Sequence, residues 1–165
     1  MAVTVFFFKT TDILNRTQDK SLYNENGKDK DFDVISIGED DFPYVKTLLE
    51  DSANEVFEIL HKLTEGIFDE DGVASVPFVF DEAIDDKTGL YIAYTLQFPT
   101  NFNFSLIKPI DRNIRGCLID KTLLKWMDGK GRNIEKEEVN ELKAINKLKR
   151  SINLRSTLSK TYQWY

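Results

Sequence analysis

The chain has 165 residues, the length of one domain, and its 41% apolar content, with 12 Phe, 6 Tyr and 2 Trp, is enough to fill a single core. Its longest apolar runs, Val5–Phe8 and Val76–Phe80, fall far below the roughly 20 residues that span a bilayer, Met1–Thr4 lacks the basic start of a secretory signal, and a lone Cys117 excludes a disulfide framework or cysteine-rich metal site. The net charge of −6 argues against a general nucleic-acid binder, yet it is unevenly divided: residues 1–105 carry 8 basic against 21 acidic residues (−13), and residues 106–165 carry 14 against 7 (+7).

Val3–Phe8 predicts a β-strand from its β-branched and aromatic residues. Both of its faces are apolar, so it should be covered twice, by its own helices or by a partner on one side. Thr10–Asp31 is rich in Asn, Asp, Lys and Thr around Gly27 and predicts a long mobile loop at about 10–31. Phe32–Ile37 predicts a short second strand closed by Gly38. Asp40 or Asp41 then caps a helix with Pro43 in its first turn. Within it Val45, Leu49, Ala53, Val56 and Leu60 step by three and four, so one stripe faces a core. Glu50, Asp51, Glu55 and Glu58 lie off that stripe and give an acidic outer face, and Gly66 ends the helix. Two further strands, Val73–Phe80 and Leu90–Phe98, read as an antiparallel pair packed on helices.

A helix from about Lys108 to Met127 spreads Ile110, Ile114, Cys117, Leu118, Leu123 and Trp126 over more than one stripe, which predicts contact with two neighbours. Gly129–Gly131 makes a turn, and Asn133 caps a last helix that runs to about Ile152. Glu135, Glu137 and Glu138 open that helix and Lys147, Lys149 and Arg150 close it, as the macrodipole favours. The predicted fold class is α+β: a small antiparallel sheet of about four strands packed with three helices, with a C-terminal helical hairpin and an extended arm. Residues 1–152 form one domain and residues 153–165 a basic, aromatic arm.

No catalytic constellation emerges. Gly129-Lys130-Gly131-Arg132 lacks the glycine register of a phosphate-cradling loop. Asp69-Glu70-Asp71-Gly72 would put Ile67 and Phe78 where a calcium loop needs carboxylates. His61 is the only histidine, too few for a typical catalytic zinc site, and Cys117 reads as a small core hydrophobe. The expectation is a protein that is not an enzyme, with no catalytic residues, no cofactor and no metal.

Two features fit interaction better. Val5 and Phe7, on the doubly apolar strand, are candidate partner contacts, as are Tyr162, Trp164 and Tyr165, which end the chain and must dock on its own domain or on a neighbour. From Lys147 to Tyr165 there are bases and no acid, so Lys147, Lys149, Arg150, Arg155 and Lys160 are candidates for contact with an acidic partner or with DNA.

The run Phe32-Asp33-Val34-Ile35-Ser36 leads into Asp40-Asp41-Phe42-Pro43 and a helix to Glu65; later, Phe102-Asn103-Phe104-Ser105-Leu106-Ile107-Lys108-Pro109 opens a helix that closes on Leu123-Leu124-Lys125-Trp126. With the charged helix and basic tail that follow, this layout resembles the small head-to-tail neck proteins (connector, ring or tail-completion proteins) of tailed bacteriophages and prophages. The resemblance implies a virion structural protein, assembled in the host cytoplasm. It implies a cyclic homo-oligomeric ring in the neck or upper tail, partnered by the portal or other neck and tail proteins, with non-specific DNA contact and no membrane. An acidic front half and a basic rear half suit the heterologous contacts of a ring. Two other readings stay open: a nucleic-acid-binding accessory protein that uses the basic arm with its aromatics as stacking groups, and a small metal-dependent hydrolase.

Overall fold

The computed structural model describes residues 2–23, 36–64, 91–98, 103–131 and 134–157. Strand β1 (Ala2–Lys9) runs directly into helix α1 (Thr10–Tyr23); a 3₁₀ turn, Glu39–Asp41, leads into α2 (Phe42–Thr64). Strand β2 (Tyr91–Phe98) follows, then a second 3₁₀ turn, Phe104–Leu106, then α3 (Ile107–Gly129) and α4 (Glu135–Thr157). The expectation of an α+β fold with about four strands and three helices is corrected: 80% of the described residues are helical, and they form one two-stranded antiparallel sheet and four α-helices. The expected strand 73–80 and residues 32–35 of the expected second strand lie outside the described residues.

The expected loop from Thr10 is replaced over residues 10–23 by α1. Its inward face is Thr10, Ile13, Leu14, Thr17 and Ser21, all buried, so three of five core-facing residues are polar by type. Helical geometry satisfies two of the three hydroxyls locally, Thr17 donating to the Ile13 carbonyl at 2.8 Å and Ser21 to the Gln18 carbonyl at 2.6 Å, while the buried Thr10 hydroxyl has no partner among the described residues. Asp12 in the first turn pairs with Arg16 one turn on, at 3.2 Å, and Lys20 sits in the last turn, both favourable to the helix dipole. The same helix explains the end of the expected second strand. The Ile37 N–H donates to Ser21 Oγ at 3.2 Å and its carbonyl accepts from Gln18 Nε2 at 2.7 Å, so α1 takes the groups that a ladder would need.

β1 and β2 pair in register Phe8↔Ile92, Phe6↔Tyr94 and Thr4↔Leu96, which puts Phe6, Phe8, Ile92, Tyr94, Leu96 and Phe98 on one buried face. Tyr94 fastens this face to α2: its hydroxyl donates to the Ala53 carbonyl at 2.8 Å, and burial pushes its pKa far above the usual phenol range. The other face carries Val5 opposite Thr95 and Phe7 opposite Ala93.

The cap expected at Asp40 or Asp41 is instead Gly38, which opens the 3₁₀ turn before α2 and whose N–H donates to Asp41 Oδ2 at 2.9 Å; Pro43 stands in the first turn of α2, where no N–H is needed. Asn103 opens the next element by accepting from the Ser105 N–H at 3.0 Å. α3 then packs against α1, α2 and α4, which accounts for apolar residues on more than one stripe. It ends in a tight turn with Gly131 at φ 66°, a left-handed position that glycine fills without strain. α4 returns antiparallel to α3, since Lys121 meets Glu141 while Asn113 meets Lys147. It continues to Thr157, so the first five residues of the expected arm, 153–157, extend the helix, and residues 158–165 lie outside the described residues.

Three helices meet at one cation. Lys121 of α3, only 7% exposed, donates to Glu55 of α2 at 2.7 Å and to Glu141 of α4 at 2.6 Å, while Lys125 holds the other oxygen of Glu55 at 2.7 Å. Burial alone would lower the Lys121 pKa, but its hydrogen bonds to Glu141 and Glu55 outweigh this and hold it above the ordinary 10.5. Burial likewise favours protonation of Glu55, and the bonds from Lys121 and Lys125 overcome it and hold the carboxyl below 4.5.

Breaking a fully buried pair costs about 3–5 kcal/mol. Because the Glu55 and Glu141 side chains keep 44% and 20% of their exposure, Lys121→Met should cost about 1–3 kcal/mol in chemical denaturation. The pH dependence has a definite sign. Stability from Glu55 is present above pH 4.5 and lost as pH falls through its lowered pKa; stability from Lys121 is present below 10.5 and lost as pH rises through its raised pKa. The gap between wild type and Lys121→Met should therefore be flat from about pH 5 to 10 and narrow on both sides. A gap that does not change at either extreme would refute this assignment.

Candidate functional site

The basic residues of the second half do not form one patch at the C-terminus. α3 carries Lys108, Arg112 and Arg115 at steps of four and three, so they share a face, and α4 carries Lys143 and Lys147 one turn apart. The packing of α1 and α4 on α3 brings these rows together with Arg16 and Lys20 of α1.

Two adjoining clefts result. One of about 390 Å³ lies between α1, α3 and α4 and is lined by Lys20, Arg112, Lys143 and Lys147, with Asn113, Gly116 and Asn140. The other, about 590 Å³, lies between β1, α1 and the start of α3, where Arg16, Lys108, Arg112 and Arg115 face Val5 and Phe7. Arg112 lines both.

Some of these cations are already engaged. Lys20 pairs with Asp120, Arg115 pairs with Asp12 and with Asp111 at 3.7 Å, and the Arg115 guanidinium also lies 5.3 Å from the centre of the Phe8 ring. The two carboxylates that line the clefts, Asp111 and Asp120, are thus both occupied. Lys108, Arg112, Lys143 and Lys147 are exposed and have no carboxylate partner among the described residues. The arrangement can hold an anion. In the lining of the narrower cleft, Gly116 stands in mid-helix, where an added Cβ would meet no side chain and no other element within 4 Å.

The structure separates the residues that the sequence groups together. Lys147 lines the cleft, whereas Lys149, about 160° away round α4, is exposed on another side; Arg150, one turn on from Lys147, is exposed next to the cleft without lining it. Arg155 belongs to the last turns of α4; Lys160, Tyr162, Trp164 and Tyr165 lie outside the described residues. Val5 and Phe7 are 41% and 59% exposed, on the sheet face turned away from the core. Sequence reasoning missed Lys20, Arg112 and Lys143. The signal available was helical spacing, Lys108/Arg112/Arg115 and Lys143/Lys147, rather than density of charge along the chain.

The groups with nucleophilic or ligating chemistry are not assembled. Cys117 is fully buried in α3; burial, and after it the nearby Asp120, pushes its thiol pKa up to about 12. His61 is exposed on α2, its ring 6.1 Å from that of Phe57. No group of three His, Cys, Asp or Glu among the described residues could hold a metal ion, and no described helix is long and apolar enough to cross a membrane.

The native protein at pH 8 should react with an aromatic disulfide reagent only as fast as it unfolds, since the thiolate of Cys117 is both suppressed and enclosed. Denaturant should release one thiol per chain. Immediate labelling without denaturant would contradict the burial described. Comparison with family models, with curated proteins and with solved structures found no match for this chain.

Proposed function

We propose that the protein is a non-catalytic virion structural subunit that forms a cyclic homo-oligomeric ring in the head-to-tail neck or upper tail of a tailed bacteriophage. In that ring it meets the portal or other neck and tail proteins around the DNA channel. The observation that carries the assembly reading is the outer face of the sheet, where Val5 and Phe7 are exposed side by side on a strand whose opposite face is buried in the core. Covering a Phe side chain is worth roughly 1.5–3 kcal/mol, so an adjoining subunit gains substantially by seating there.

Charge supports the same reading. Glu39, Asp40, Asp51 and Glu58 are exposed just before and along the outer side of α2, while the exposed Lys108, Arg112, Lys143 and Lys147 lie on α3 and α4. Two unlike surfaces on one subunit suit the heterologous contact that closes a ring, with charge setting orientation and apolar burial setting affinity. The placement in a phage neck is supported by the layout of the chain, from Asp40-Asp41-Phe42-Pro43 to the charged final helix.

Native mass spectrometry and negative-stain imaging of the purified protein, alone and co-expressed with the products of its neighbouring genes, test this. Wild type should form closed oligomers or join a particle. Phe7→Asp should shift the population to monomer, with helix content unchanged because Phe7 points away from the core. A wild-type protein that stays strictly monomeric and joins no particle would overturn the proposal.

A further inference from the structure

We propose that the cleft between α1, α3 and α4 binds the phosphodiester backbone of a nucleic acid, with the backbone passing over Gly116 between Arg112 and the Lys143/Lys147 row of α4. The inference rests on the cationic lining of this cleft and its continuation along α3, and not on the proposed ring.

Three observations carry it. First, Lys20, Arg112, Lys143 and Lys147 come from three different helices to one concavity, and its carboxylate, Asp120, is occupied by Lys20. The remaining cations repel one another across the cleft, and an anion between them removes that repulsion. Second, α3 places a glycine in the cleft's lining. Glycine inside a helix is less stable than alanine, and here no packing requires it, because a Cβ would meet no side chain and no other element within 4 Å. The bare backbone leaves room for a ligand to approach closely.

Third, the cationic lining does not stop at one cleft. Arg112 is shared with the adjoining cleft, where Lys108 and Arg16 continue the row. The ligand is therefore an extended chain of negative charges rather than a single ion. A phosphodiester strand supplies such charges at regular spacing along its length. Arg112 adds a planar fork of donors suited to phosphate oxygens. Nothing in this geometry reads base edges, so binding should be independent of sequence.

The test is fluorescence anisotropy of the full chain with labelled single-stranded and duplex 20-mers. Binding of either at 20 mM salt is expected, with affinity falling about tenfold for each doubling of salt as roughly four free cations displace counterions. Binding of either form supports the proposal, because the phosphodiester backbone is common to both. Arg112→Glu with Lys143→Glu should weaken binding at least tenfold. Lys130→Glu with Lys149→Glu makes the same change in net charge away from the cleft and should weaken it less than threefold. Gly116→Leu, which favours the helix and fills the cleft without altering charge, should also weaken binding at least tenfold. The proposal fails if neither oligonucleotide binds at 20 mM salt, if the two charge-reversal pairs lose affinity equally, if Gly116→Leu binds like wild type, or if polyglutamate of matched charge binds as tightly as the oligonucleotides.

Discussion

A lysine taken out of water must have its charge balanced where it lies, and Lys121 meets that requirement between Glu55 of α2 and Glu141 of α4. Both carboxylates have to arrive within hydrogen-bonding distance of one ammonium, and this restricts how α2 and α4 can slide or rotate on α3. Hydrophobic contacts such as Leu49, Ile114 and Leu148 supply the burial, but apolar surfaces tolerate more than one register. The ion cluster is direction-specific. With Tyr94 donating to the Ala53 carbonyl, it ties the sheet, α2, α3 and α4 into one frame.

That frame decides which cations are spent on structure and which are left for a ligand. Lys121, Lys125, Arg115 and Lys20 all have carboxylate partners, and Arg115 also lies over the Phe8 ring. Lys108, Arg112, Lys143 and Lys147 are held close to them by the same helices but face the clefts. An acidic chain thus presents a locally basic surface, because many of the acids that set its net charge are on other elements. The outer sheet face is exposed for a related reason. A two-stranded sheet has one face for the core, and Phe6 and Phe8 use it, which leaves Val5 and Phe7 outward by strict alternation.

Part of this was legible from residue order. The stripe Val45, Leu49, Ala53, Val56 and Leu60 is buried as its spacing required, and the apolar residues of α3 are distributed as a helix with several neighbours demands. The helix α1 was not legible. Its inner face uses Thr10, Thr17 and Ser21, and the Thr17 and Ser21 hydroxyls, which bond back to their own helix, are silent in a hydrophobicity pattern. The assignment of Ser36 and Ile37 to a strand failed for the complementary reason. Their composition suited a ladder, but α1, absent from the sequence reading, claims the Ile37 backbone.

The order of residues by itself determined the helical stripes, the doubly apolar character of Val3–Phe8, the isolation of the single thiol and the division of charge between the two halves of the chain. These are local or additive properties, and local spacing and counting suffice to read them. Which strand β1 pairs with, which helix covers Phe8, and which of the basic residues of the second half share a cleft were decided only by tertiary structure. Lys20, Arg112 and Lys147 are far apart in the chain, and no periodicity connects them. They meet because Lys121 with Glu141 sets α4 against α3, while Lys20 with Asp120 and Arg115 with Asp12 set α1 against α3.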